Sequence, residues 1–530
     1  MKRAIRAAVL VALLGAGAAQ AADGIASGTV YEERDGHPGR GPGEAGIAGV
    51  QVSNGEAIVV TDAKGHYQLP LREGQTAFVI KPDAYRFVEA ADGLPAFWRT
   101  HAPRGAPALK YPGIAPTSGQ LDGWDFGLRR APRTGKDGFQ MLVFSDSQTA
   151  SMTDVDYYAR DIVAPLKGRT QARLGTTLGD VVSDDLSLYP ALNRVTTTLG
   201  VPWFHVPGNH DLNFDAADDA ASLTSWRAIY GPDTYAVDEQ GASFVFLDDV
   251  VFSPGAKPGY IGGLREDQFT FLENYLRGLP KSRLLVLGMH IPLFDAAPGR
   301  ETFRHADRTR LFALLRDFPH VLVLSGHSHT QQHYYHGADE GWAGAAPLHE
   351  YNVGAACGAF WSGVKDAEGI PDATMADGTP NGYAVLSVRP GGTYALDYHV
   401  ARDPDDAQLH LHAPKVLRKG AYPAWGVYAN VYMGQDDTLV EFRVDGGDWK
   451  PMKRVVQNDP RLVVENVRDD LAEQLRGFDR SPEATPSTHL WRGALPTDLA
   501  EGAHQVEVRA RLPGGEASAK TRYRLATAAP

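Results

Sequence analysis

The chain contains one cysteine, Cys357, so no disulfide can form within it. No thiolate-stabilising context surrounds that residue, which suits a buried core thiol better than a nucleophile. Beyond residue 22 no apolar run is long enough to cross a bilayer. Positive charge is also scarce: 52 Lys and Arg against 64 Asp and Glu give a formal charge of −12. That balance argues against a nucleic-acid or anionic-membrane partner. The Gly-rich strings lack the Lys-Ser/Thr of a phosphate-binding P-loop, and no defensible Ser-His-Asp arrangement is present. Internal repeats and long low-complexity tracts are missing too.

What is present is ordinary globular composition, 43% hydrophobic and 22% charged, spread over 530 residues. That length predicts two to four domains. The 57 glycines and 35 prolines suit short strands joined by turns. Residues 1–21 read as a cleaved secretory signal: Lys2, Arg3 and Arg6 are followed by an apolar stretch from Ala7 to Ala18 and by Ala19-Gln20-Ala21. Its removal would take away those three positive charges and no acid, so −12 becomes −15. A periplasmic or secreted location is expected.

Residues 22–131 read as an all-β sandwich. Val50 and Val52, then Tyr67, Leu69 and Leu71, alternate with other residues, and Asn54-Gly55 and Asp92-Gly93 mark turns. The basic, polar stretch from Arg130 to Gly138 reads as a linker. Over residues 138–403 apolar runs alternate with helical stretches such as 264–277 and 308–317, which predicts a layered α/β domain with its site at strand ends. Residues 404–530 return to strand patterning, including a closing hairpin HQVEVRARLPGGEASAKTRYRL. The expected architecture is multidomain α+β, an α/β domain flanked by two all-β sandwiches.

Five polar motifs stand in order inside the central domain, each at the end of an apolar run. They are Asp146-Ser147-Gln148, Gly179-Asp180, Gly208-Asn209-His210-Asp211, His290, and Gly326-His327-Ser328-His329. Taken singly, Gly-Asp is a common turn and His-x-His a weak metal signal. Taken together they supply carboxylate and amide oxygen with imidazole nitrogen, the donor set of Mn²⁺, Fe and Zn²⁺. A carboxylate shared by two ions would hold them at about 3.5–4 Å, the spacing of two-metal phosphoryl chemistry.

The order and the strings resemble the calcineurin-like metallophosphoesterases, whose usual pattern is DxH, GD, GNH[DE], H, GHxH. The flanking segments resemble a branch with an N-terminal transthyretin-like module and a C-terminal β-sandwich. The resemblance implies an α/β/β/α sandwich as the catalytic fold and a dinuclear metal centre. One metal would be held by Asp146, Gln148, Asp180 and His329. The other would take Asp180, Asn209, His290 and His327, with Asp180 and a hydroxide bridging. His210 would hold no metal but would face the substrate and protonate the leaving oxygen. The implied activity is hydrolysis of a phosphomonoester or phosphodiester in the cell envelope, on a phosphorylated small molecule, lipid or glycan. A nucleotide-sugar pyrophosphatase and a catalytically weak envelope-binding protein are the competing readings.

Two departures from the family pattern stand out. Gln148 replaces the usual His, and an amide oxygen favours Mn²⁺ over Fe or Zn²⁺. The carboxylate that usually orients the catalytic His is replaced by Ser183, and Asp184 beside it is the candidate for that role. Trp361, Trp342, Tyr334, Tyr335 and His333 follow the last motif and could either line a cleft or simply pack.

Overall fold

The computed structural model describes residues 23–527 apart from 37–38, 133–137, 298 and 405–406. The expected signal segment and most of the expected linker lie outside the described residues. Among those described, no helix is long and apolar enough to cross a membrane.

Two mixed sheets carry the centre of the molecule. One has the strand order Trp203–Val206, Leu174–Leu178, Phe139–Phe144, Gly382–Arg389, Thr393–Val400. Its first three strands run parallel. The other has the order Tyr235–Glu239, Ala242–Phe246, Leu284–Gly288, Val321–Ser325, Leu348–Asn352, Gln332–His336, and the four from Ala242–Phe246 to Leu348–Asn352 are parallel. Parallel strands covered on both faces read as continuous apolar runs, and LLVLG and VLVLS are such runs, almost wholly buried. The sheets meet face to face through rings: Phe204 stacks on Phe246 at 5.9 Å, and Phe139 meets Phe244 edge-on at 6.2 Å. Helices cover the outer faces. Met152–Tyr158 lays Tyr158 against Phe144, and His305–Leu315 lays Phe312 against His336. This is the layered α/β domain that the alternating pattern predicted, in the α/β/β/α form that the family resemblance implied, with helices Glu266–Gly278 and His305–Leu315 close to the expected spans.

The N-terminal part forms two four-stranded sheets. Strand His66–Leu71 shows the expected alternation, with Tyr67, Leu69 and Leu71 buried and their neighbours exposed. Its interior is continuous with that of the central sandwich. Phe87 stacks on Phe97 at 4.8 Å, Phe97 touches Phe204 and Tyr235, and Phe78 meets Phe271. Ionic contacts reinforce this seam. Lys81, 2% exposed, donates to Glu239 at 2.8 Å, and Arg173 donates to the other oxygen of Glu239 at 3.0 Å.

The C-terminal part has its own apolar core between a four-stranded and a five-stranded sheet. The hairpin Gly502–Leu512 with Gly515–Ala526 closes it as the pattern predicts. One element departs from the expected strands: Pro460–Asp470 is a helix. Asp459 caps it by accepting from the Arg461 N–H at 2.7 Å, and Pro460 occupies its first turn.

Removing the shared carboxylate of the seam takes the counter-charge from the buried Lys81 and one ion pair from Arg173. Glu239→Ala should therefore lower stability by about 3–5 kcal/mol. The midpoint of urea unfolding is the measurement, and a midpoint within error of wild type would show that Lys81 finds sufficient compensation in backbone carbonyls.

Candidate metal centre

The five motifs sit just past the C-terminal ends of five parallel strands, Phe139–Phe144, Leu174–Leu178, Trp203–Val206, Leu284–Gly288 and Val321–Ser325. Parallel strands bring these ends to one edge of the sandwich. The turns that leave them are sharp. Asp146, Gln148, Asp180, His327 and His329 all have left-handed backbones, with φ between 38° and 69°. Each such non-glycine residue costs about 1–3 kcal/mol, and that strain collects at functional sites. The loops also approach closely: a Cβ at Gly208 would lie 2.2 Å from the backbone nitrogen of Asp180.

Four donor atoms converge around His290. Its Nε2 lies 3.1 Å from Asn209 Oδ1, 3.2 Å from His327 Nδ1 and 3.3 Å from Asp180 Oδ2. Ligands about 2.0–2.2 Å from one ion sit about 2.8–3.6 Å from each other. Asp180, His290 and His327 thus offer a cation a ready cluster of ligand atoms. The far nitrogen of His290 donates to the Leu178 carbonyl at 2.9 Å, which leaves the Nε2 lone pair pointing inward.

Alongside it lies a second group. His329 Nε2 is 3.5 Å from Asp146 Oδ1, and His329 Nδ1 donates to the Gly358 carbonyl at 2.6 Å, which turns Nε2 toward Asp146. The Gln148 backbone N–H bonds the Asp180 carbonyl at 2.8 Å, and its side-chain Oε1 accepts from the Cys357 thiol at 3.8 Å. Cys357 itself is fully buried. The sequence-predicted residues Asp146, Gln148, Asp180, Asn209, His290, His327 and His329 are therefore neighbours around one edge.

The electrostatics of this edge call for positive charge. Asp146 and Asp180 are almost wholly buried, and the cationic neighbours acting on them are histidines. Burial alone would raise the Asp180 carboxyl, but His290 outweighs it and holds the group below the usual carboxylate range. Burial alone would lower His290, yet Asp180 and Asp146 push it up to about 10. His327 is pushed down to about 4 by burial and by His290, so its nitrogen is an open lone pair at neutral pH. The buried carboxylates thus draw positive charge to this edge, a demand that a divalent ion meets with two charges. The donor set fits metal ions.

Beside the cluster, His210 Nδ1 lies 2.7 Å from Asp184 Oδ1, while its backbone N–H donates to Asp180 Oδ1 at 2.8 Å. Burial opposes protonation of this ring, but the hydrogen bond to Asp184 and the charge of Asp180 prevail and raise it. The other histidines are engaged elsewhere: His305 with Asp295 and His333 with His349. Of the aromatic candidates, Trp361 and Trp342 are buried, Tyr334 stacks on Phe294 at 4.7 Å, and Tyr335 is exposed.

Three residues without a role in the sequence reading hold the loops. Asp211 accepts from the N–H groups of Gly208 at 2.8 Å and Val181 at 3.2 Å, and from the Tyr189 hydroxyl at 3.0 Å. It thereby ties the Asn209 turn to the Asp180 turn. Asp249 accepts from the backbones of His290 and Ile291 at 3.0 and 2.9 Å. Asn352 donates to Ser325 Oγ at 3.1 Å and bonds the Gly326 carbonyl. Asp211 stood inside a quoted motif; Asp249 and Asn352 carried no signal beyond a polar residue at a strand end.

The family model described as calcineurin-like phosphoesterase matches residues 142–331. Models described as the N terminal and the C terminal of calcineurin-like phosphoesterase match residues 39–110 and 350–517. The chain belongs to the calcineurin-like phosphoesterases. It is a dinuclear-metal phosphoester hydrolase, built to work with two divalent ions. No curated protein matches it. Among solved structures it is similar to a dimetal phosphatase from Danio rerio, at 14% identity over 49% of this chain and 98% of that one, with a TM-score of 0.33. It is also similar to a purple acid phosphatase from yellow lupin (Lupinus luteus) seeds, at 12% identity over 66% of each chain, with a TM-score of 0.36. Likeness so slight carries no argument of its own.

Asp180 touches His290 and the His210 backbone, so it stands at the centre of the cluster. Asp180→Asn should reduce bound metal from about two ions per chain to about one or fewer, read by elemental analysis of the purified protein. Two retained ions would remove Asp180 from the ligand set.

Proposed function

We propose that the protein hydrolyses phosphate monoesters or diesters in the cell envelope, with His210 as the proton donor to the leaving group. The observation that carries this reading is the Asp184–His210 pair, set against Asp180 through the His210 backbone. In this reading Asp146, Gln148, Asp180 and His329 hold one ion, and Asp180, Asn209, His290 and His327 the other. Bound there, two divalent ions neutralise phosphoryl oxygens and make water a nucleophile near neutral pH.

The remaining work falls to the chain. Asp184 accepts from His210 Nδ1, which fixes the ring and leaves Nε2 as the nitrogen that can donate, on a side chain that is 30% exposed. The raised proton affinity of the ring keeps a proton available near neutral pH, and an alkoxide leaving group needs one. Asp211 and Asp249 hold the loops by accepting their backbone N–H groups, so the donors keep their positions. The envelope location rests on residues 1–21 alone. For metal identity the reading is Mn²⁺, because Gln148 offers an oxygen where an imidazole would suit Fe or Zn²⁺.

Exchanging that oxygen for nitrogen tests the metal assignment. Gln148→His should shift the metal content of the purified protein from manganese toward iron or zinc. An unchanged content means that Gln148 does not reach an ion.

Loss of the proton donor should be selective. His210→Ala should lower kcat by about 10²–10⁴-fold for an alkyl phosphate ester, with metal content near wild type. The loss should shrink for a nitrophenyl ester, whose leaving group hardly needs a proton. Asp184→Asn should give a smaller loss with the same dependence on leaving group. If metal disappears together with activity, His210 is a ligand and the assignment is wrong.

A further inference from the structure

One exposed ring beside the metal cluster is unexplained by packing. Phe360 stacks on His329 with centroids 4.6 Å apart and planes 30° apart, yet it remains 60% exposed. Its backbone is left-handed, with φ of 56°, and so is that of Trp361, with φ of 54°. Two consecutive aromatic residues in that region are held only where their surroundings over-determine them. Here the surroundings do so. Trp361 is buried and donates Nε1–H to the Ser147 carbonyl, between Asp146 and Gln148, at 3.1 Å. Its backbone N–H bonds the Cys357 carbonyl at 3.0 Å. Gly358, also left-handed, passes so near the Ala373 carbonyl that a Cβ would fall 1.5 Å from it, and its own carbonyl fixes His329.

The segment 357–361 therefore does two things with one backbone. It orients His329 from below, and it raises Phe360 over the face of that imidazole. A side chain needed only to shield His329 would be covered in turn. Phe360 instead leaves most of its surface open to solvent within one ring's thickness of the cluster. A second aromatic ring also meets the cluster: Tyr260 lies edge-on to His327 at 6.0 Å.

We propose that Phe360 is a substrate-specificity residue: it stacks a flat, unsaturated ring carried close to the phosphorus of the substrate, so that aryl phosphate esters are preferred over alkyl or saturated-sugar ones. This rests on the phosphoesterase reading of the same site and narrows its substrate class. Stacking on an aromatic side chain discriminates such a ring by about tenfold or more.

The test measures binding, and so stays separate from turnover. The full-length, metal-loaded protein is titrated by calorimetry with methylphosphonate, cyclohexylphosphonate and phenylphosphonate, and hydrolysis of nitrophenyl mono- and diesters is assayed in parallel. Wild type should bind phenylphosphonate about tenfold more tightly than the other two. Phe360→Leu keeps bulk over His329 and should erase that preference, whereas Phe360→Tyr should keep it. Metal content, measured alongside, reports any damage to His329. Equal binding of the phenyl and cyclohexyl compounds, a preference that survives in Phe360→Leu, or no phosphonate binding at all would overturn the proposal. Ring preference without hydrolysis of any ester would leave the stacking role standing and sink the phosphoesterase reading instead.

Discussion

Two carboxylates, Asp146 and Asp180, lie almost wholly buried at the edge where two sheets bring their strand ends together, and the cations that act on them are imidazolium groups. Burying carboxylates without matching positive charge costs several kcal/mol each. The same carboxylates raise the proton affinity of His290 against the effect of its burial. Much of the site follows from this one constraint. The imidazoles are tied at their far nitrogens to the carbonyls of Leu178 and Gly358, so that their lone pairs turn toward the carboxylates. Divalent ions satisfy the same demand more fully, and they do so without spending the imidazole nitrogens on protons.

The constraint also explains where the backbone is strained. For side chains from five separate strands to converge within a few ångströms, the chain must turn at once on leaving each strand. Left-handed residues do this in the fewest atoms, and Asp146, Asp180 and His327 use that conformation directly after or near a strand end. Such turns would relax if they were free. Asp211 and Asp249 prevent that by accepting backbone N–H groups, three at Asp211 and two at Asp249, from the loops that carry Asp180, Asn209 and His290. Their carboxylates face the protein backbone instead of the ion cluster, which separates the work of holding the loops from the work of holding metal.

The sequence made the strands and the chemistry legible together: each polar motif follows a short, mainly apolar run, unbroken in LLVLG and VLVL, and buried parallel strands read in this way. Tyr67, Leu69 and Leu71 were equally readable, because a half-exposed strand alternates. The helix Pro460–Asp470 was not expected from the strand patterning; in the structure Asp459 caps it and Pro460 opens its first turn, a start signature in the letters themselves. Asp249, Asn352 and Phe360 were not readable at all. A carboxylate that accepts distant backbone N–H groups leaves no spacing rule, and nothing in the letters Ala359-Phe360-Trp361 announces two left-handed residues.

Least visible in the sequence was the dependence of the central sandwich on its flanks. Turn-rich strand patterning makes residues 22–131 look like a separate module, yet Phe97 packs on Phe204 and Tyr235, and Lys81 and Arg173 share Glu239. Strand Trp203–Val206 ends two residues before Gly208, so this seam lies directly behind the turn that presents Asn209 and His210. The C-terminal part reaches the segment after Phe360: the Asp479 carbonyl accepts from the Gly363 N–H at 2.8 Å, and Asn430 and His489 bond Asp377. Gly363 lies three residues beyond Phe360. The two β-rich flanks thus brace segments beside the centre, while the seven candidate ligand side chains all belong to the central part. Variation in either flank can therefore reshape access to the centre, through the turn at Gly208 or the segment at Phe360, while the donor atoms themselves stay fixed by the sheets.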